Sequence, residues 1–78
     1  MAQIDIDGIE KIDKDRNTIQ EKVSATYSTF EKDNKKYFQL DTYGRTGRKN
    51  PGKISQSIQL DKETASFIVA KLNEYFNL

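Results

Sequence analysis

The spacing of apolar residues changes character along this chain, and each change marks an element. From Lys22 to Glu31, β-branched and aromatic residues gather (Val23, Thr26, Tyr27, Thr29, Phe30), which predicts a strand. Lys32-Asp33-Asn34-Lys35 is turn chemistry, since Asp and Asn tolerate tight backbone conformations. Lys36 to Tyr43 alternates: Phe38 and Leu40 fall on one face, and Tyr37, Gln39, Asp41 and Tyr43 on the other. Gly44 to Gly52 holds three of the four glycines and the only proline, so it reads as a loop. Lys53 to Leu60 alternates again, with Ile54, Ile58 and Leu60 inward and Ser55, Ser57 and Gln59 outward; Gln56 is the inward exception.

After Leu60 the period lengthens. Asp61 is placed to cap a helix starting at Lys62, with Glu63 complementing the dipole in the first turn. Ala65, Ile68, Val69, Leu72 and Phe76 recur at helical spacing and form one stripe, while Phe67 falls roughly opposite. The first twenty residues have the weakest pattern. Ile4, Ile6, Ile9 and Ile12 suggest a short strand interrupted at Gly8, Asp13 to Thr18 reads as a polar turn, and residues 1–20 form either that first strand or a loosely held arm. The expected architecture is one α+β domain over residues 1–78: an antiparallel sheet of three or four strands with a single C-terminal helix on one face. The helix stripe would cover Phe38, Leu40, Ile54, Ile58 and Leu60, leaving the polar face open.

Composition limits the chemistry. The chain has 78 residues, 35% of them hydrophobic and 32% charged. A domain this small buries only about 60% of its unfolded surface, so association is expected to offset a thin core. The expectation is a homodimer, with Phe67 as a candidate contact. There is no Cys and no His, which removes disulfides, thiolate ligands and the commonest acid–base group near neutrality. A reducing, cytoplasmic setting without a membrane span is expected. Asp13-x-Asp15-x-Asn17 resembles the start of a calcium loop but lacks the required Gly at Thr18 and Glu at Ser24. The glycine-rich segment lacks a Gly-Lys-Ser/Thr ending and opens no helix, so it is not a nucleotide loop. The sequence therefore predicts no enzyme, metal or cofactor.

Charge is unevenly placed under a net value of +1. Residues 1–21 carry six acids against three bases, a net of −3, whereas residues 32–53 carry seven bases against two acids, a net of +5. The basic stretch contains Lys35, Lys36, Arg45, Arg48, Lys49 and Lys53, interleaved with Tyr37 and Tyr43. Cations that follow phosphates and flat rings that stack on unpaired bases are the chemistry of single-strand binding. Gln39, Ser55, Ser57 and Gln59 would add hydrogen bonds on the same face. An ordinary solvated sheet face has the same composition.

The order of Lys36 to Tyr43, a polar loop, Asn50-Pro51-Gly52-Lys53, Ile54 to Leu60 and an acid-capped helix resembles the core of the positive cofactor four transcriptional coactivator family, over Lys36 to Phe76. That resemblance implies a bent antiparallel sheet, one helix, dimerisation through helix and sheet, and single-stranded DNA bound across the sheets. It implies Lys36, Tyr43 and Lys53 as contacts; Arg45, Arg48 and Lys49 are added from charge alone. The chain departs from that family in carrying Asp41 where an Arg is usual, and Ser55-Gln56-Ser57 where a Lys-Gly pair is usual.

The leading expectation is a dimeric protein that binds single-stranded DNA or melted duplex. One alternative is a protein-interaction or inhibitor module, of phage or mobile-element type, engaging a protein partner through a sheet edge or the acidic N-terminal segment. Another is duplex binding by a sheet laid in the major groove, with Gln39, Ser55 and Ser57 reading bases.

Overall fold

Asp33 and Asn34 both take left-handed backbone conformations, with φ of 53° and 65°, and so close a two-residue hairpin of the type whose twist matches its strands. This turn joins β2 (Ala25–Lys32) to β3 (Lys35–Tyr43) with Lys32 opposite Lys35. The computed structural model describes residues 1–44 and 53–78. β4 (Ile54–Leu60) pairs antiparallel with β3 on its other side, and β1 (Ala2–Gln3) adds to the outer margin of β4. The sheet order is β1-β4-β3-β2. The expected α+β arrangement is present. The sheet is mixed, however, because β1 runs parallel to β4. β2 also starts three residues later than its composition suggested and ends one later, and residues 10–24 are exposed throughout. A 3-10 turn at Ile6–Gly8 stands where a continuing strand was expected.

The helix α1 (Lys62–Phe76) starts where predicted. The Asp61 side chain accepts from the Thr64 N–H at 2.9 Å, satisfying one of the free donors of the first turn. At the other end Asn77 is left-handed (φ 58°), and the Leu78 N–H donates to the Asn73 carbonyl, closing a C-terminal cap. Thr64 is completely buried, and its hydroxyl donates to the Ile4 carbonyl at 3.4 Å. Ile4, Ile6 and Ile9 are half-buried near this point, so the amino terminus is held against the start of the helix.

Register settles which side chains share a face. Phe38 opposes Leu60, Leu40 opposes Ile58 and Thr42 opposes Gln56, which confirms the apolar face and the inward Gln56. Tyr27, opposite Leu40 on β2, joins this face, and its ring stacks on Phe38 at 5.6 Å.

Among the described residues the expected core does not close. No apolar side chain among them is buried. Leu40 and Ile58 remain 42% and 43% exposed, and Leu72 in the helix stripe 45%. Only Ala65 and Ile68 of the stripe are half-buried, while Val69 and Phe76 are exposed as well. The helix meets the sheet at β3 and meets the 3-10 turn. Its first turns are pinned by Thr64, and among the described residues Leu40 and Ile58 of the apolar sheet face stay partly exposed. Ile54 also fails to join the interior. A register shift at Thr42/Tyr43 sets Tyr43 opposite Ile54, and Ser55 becomes the extra residue of a bulge. Among the described residues no helix is long and apolar enough to cross a membrane.

Candidate nucleic-acid interface

The polar face carries three zones along β3, because alternate residues of a strand point the same way. At the hairpin end, Phe30 and Tyr37 are opposite one another on β2 and β3, and their rings stack at 5.2 Å with 19° between planes. Tyr37 is half-buried and engaged on one side, so it offers an edge and at most one ring surface. Lys32 and Lys35 face each other across the turn, whereas Lys36, opposite Glu31, turns to the apolar face with Phe38 and Leu40. Two like charges directly opposite destabilise a hairpin. With Asp33 in the turn between them and Glu31 opposite Lys36, residues 31–36 carry a net charge of +1. Lys35 also lies near enough to Asp61 to help hold its carboxyl below the ordinary range, after the larger effect of hydrogen bonds from Thr64.

An open groove of about 1110 Å³ runs between this tip and the start of the helix. Phe30, Lys35, Tyr37, Leu60 and Lys62 are among its walls.

The middle zone is a hydrogen-bonded ladder. Asp41 and Ser57 are cross-strand partners and the most buried residues of the sheet, at 8% and 6% exposure. Both side chains are short and flanked by longer ones: Gln39 and Tyr43 on β3, Gln59 on β4. The Ser57 hydroxyl donates to Asp41 Oδ1, and Gln39 Nε2 donates to both oxygens at 2.9 and 3.2 Å. Gln59 Nε2 then donates to Gln39 Oε1 at 2.8 Å. The bond from Ser57 and then those from Gln39 hold the Asp41 carboxyl below the usual range, against the opposing effect of burial.

The far zone contains Tyr43, six positions and about 20 Å from Tyr37. It is half-buried, its hydroxyl shares a hydrogen bond with Thr26 Oγ1 at 2.9 Å, and its N–H donates to the Ser24 carbonyl. Lys53 and Ser55 are exposed beside it.

Of the residues singled out from sequence, Lys35 and Tyr37 fall at the tip, Gln39 and Ser57 in the ladder, and Tyr43, Lys53 and Ser55 at the far end; Lys36, expected among the contacts, turns instead to the opposite face, because neighbours along a strand alternate. Arg45, Arg48 and Lys49 lie outside the described residues. Phe67, the candidate dimer contact, is 37% exposed with the Lys71 ammonium 5.5 Å from its ring centre. Sequence reasoning overlooked Phe30, Lys32 and Thr26 as members of this face. Counting back from the Asp33-Asn34 turn would have found them, since a two-residue loop fixes the register of both strands. Among the described residues no group of acidic side chains is assembled to hold a metal ion. Comparison with known protein families, with curated proteins and with solved structures returns no match.

Proposed function

We propose that this chain is a small non-enzymatic protein that binds single-stranded DNA, or melted duplex, on the polar face of its sheet, and that it works as a homodimer. The observation that carries the reading is the grouping on one face of a cationic hairpin tip, a stacked aromatic pair and a row of amides. Lysines at the rim would follow phosphates, and the Phe30–Tyr37 pair and Tyr43 would meet base planes or edges, at about 1–3 kcal/mol for each stacked base. The likeness to the positive cofactor four family points the same way.

Homodimerisation is supported by the uncovered apolar surface on the opposite side. Leu40, Ile58, Val69, Leu72 and Phe76 stay partly exposed among the described residues, and a second copy related by a two-fold axis would supply the same surface in return. The test is titration of a labelled 20-mer at low and high salt, with Arg45, Arg48 and Lys49 changed together to Ala in a second sample, alongside a solution mass measurement. Binding at low salt that weakens with salt and with the variant, by a particle of twice the chain mass, is expected. No binding at low salt overturns the reading.

One observation favours a different class. All eight residues of β2 are exposed and the strand ends the sheet, so its outer margin offers backbone donors and acceptors to an added strand. A partner protein retained after nuclease treatment, with no oligonucleotide binding, would select that reading.

A further inference from the structure

The hairpin fixes which main-chain groups of β2 face outward. In a two-residue hairpin the residues flanking the turn exchange both main-chain bonds, and bonded pairs then recur at every second residue. Lys32 and Lys35 are that flanking pair. At the far end the Tyr43 N–H donates to the Ser24 carbonyl at 3.0 Å, so the same parity runs the length of the strand. The even-numbered residues of β2 therefore bond β3, and the N–H and C=O groups of Ala25, Tyr27, Thr29 and Glu31 point away from the sheet. Among the described residues no strand pairs with them, and all eight residues of β2 are exposed. Proline and lysine, which blunt many edges, are absent from Ala25 to Glu31, and the pairing of β2 with β3 has no bulge.

We infer that this margin pairs with the same margin of a second copy, β2 antiparallel to β2 about a two-fold axis through Ser28. In that register Ser28 faces Ser28 of the second copy, Tyr27 faces Thr29, Thr26 faces Phe30 and Ala25 faces Glu31. Every outward residue meets an outward residue, which gives about eight main-chain hydrogen bonds. Tyr27–Thr29 and Thr26–Phe30 set aromatic against β-branched side chains, pairs that favour strand association, and no charge meets its like. A slip of two residues one way puts Lys22 opposite Lys32 of the second copy. A slip the other way puts Ala25 opposite Asp33, whose left-handed backbone in the turn cannot continue a ladder. One strand a side is a small contact, so the pairing is transient and adds to the apolar-face contact rather than replacing it. Its axis runs along the sheet normal, which brings both polar faces to one side. This contact lies beyond the proposed homodimer and the single-strand reading, neither of which uses the margin of β2.

The chain has no Cys, so a single introduced thiol reports on one place. Ser28→Cys sets two thiols on the axis at a pair that exchanges no main-chain bonds, with Cα atoms about 4.5 Å apart and within disulfide reach. Thr29→Cys, the control, sets its two Cα atoms about 8 Å apart, beyond that reach. Each full-length variant is held at one micromolar-range concentration in glutathione buffer, and covalent dimer is followed on non-reducing gels. Expected is cross-linking of Ser28→Cys at least about tenfold faster than that of Thr29→Cys, because pairing raises the local thiol concentration. Adding Thr29→Pro to Ser28→Cys removes an outward N–H and no bond to β3, so the rate should fall to that of the control. Adding Leu72→Lys instead, which disturbs the apolar face, should leave it fast. Equal rates for the two cysteine variants overturn the inference and leave the margin to a strand of another protein. Loss of the fast rate with Leu72→Lys, or its persistence in a folded Thr29→Pro protein, also overturns it. None of these outcomes touches the single-strand reading, and the comparison of the two cysteine variants decides even if Thr29→Pro does not fold.

Discussion

Replacing Lys32 and Lys35 together with alanine should flatten the salt dependence of oligonucleotide binding by a calculable amount. Each phosphate neutralised on a single strand contributes about −0.7 to the slope of log affinity against log salt, because a condensed counterion is released. The structure describes three cations beside the polar face: Lys32, Lys35 and Lys53. Engaged together they give a slope of about −2.1, equivalent to a ~20-fold loss between about 50 and 200 mM salt. Lys53 alone gives about −0.7, a loss of roughly threefold over the same range. Arg45, Arg48 and Lys49 add equally to both proteins, so the difference between the slopes, about 1.4, isolates the hairpin tip. Fluorescence anisotropy with one labelled 20-mer at five salt concentrations measures it, and circular dichroism checks that the variant folds. A difference below about 0.5 in a folded variant would show that the tip does not meet phosphates, and the interface argued from it would be wrong.

Stability should fall in acid. Hydrogen bonds from Ser57 and Gln39 depress the Asp41 carboxyl in the folded state, and those from Thr64 depress Asp61, both relative to an ordinary value of 3.8. A depressed folded value contributes stability above the unfolded value and loses it as pH falls through the folded one, so melting temperature should drop below about pH 4. Asp41→Asn should make that drop shallower, and an unchanged pH profile would refute the assignment. If a second copy covers the apolar face, the melting midpoint rises with protein concentration, and Leu72→Lys removes that dependence; a midpoint constant over about a hundredfold range of concentration argues against the dimer. At the hairpin, Asn34→Gly should be neutral or slightly stabilising in urea unfolding, and Asn34→Val should cost about 1–2 kcal/mol, because Asn34 is left-handed and a β-branched residue resists that conformation.

The elements with the clearest periodicity were the easiest to read. Alternation in Lys36–Tyr43 and Lys53–Leu60 gave both strands, the face containing Phe38 and Leu40, and the inward Gln56, because a pleated strand forces neighbours to opposite sides. Asp61 as a cap follows from local hydrogen bonding, and it is found at that position. β1 was not legible at its true place, since a two-residue strand carries no period and depends on a partner more than fifty residues away. The helix stripe misled for another reason. Periodicity reports that Ala65, Ile68, Val69, Leu72 and Phe76 share a side, but not what that side meets, and among the described residues Val69, Leu72 and Phe76 stay exposed. On the polar face, the residue types were visible, but the Asp41–Gln39–Gln59 connection needed register across two strands.

The parallel seat of β1 also bears on how the chain assembles in time. β2, β3 and β4 follow one another in sequence, so the meander can form from neighbouring segments, and a hairpin like β2–β3 closes in microseconds. Ala2 and Gln3 pair with Ile58 and Gln59, and Ile4 receives Thr64, so the opening residues have no seat until β4 and the first helical turn exist. Closing so long a span also carries a loop-entropy penalty that the local hairpin avoids. During synthesis this segment emerges well before its partners and is accordingly the last of these elements to be fastened, and under strain or mild denaturant it should be the first to detach, which hydrogen exchange at Gln3 and Ile4 would register before any exchange within β3.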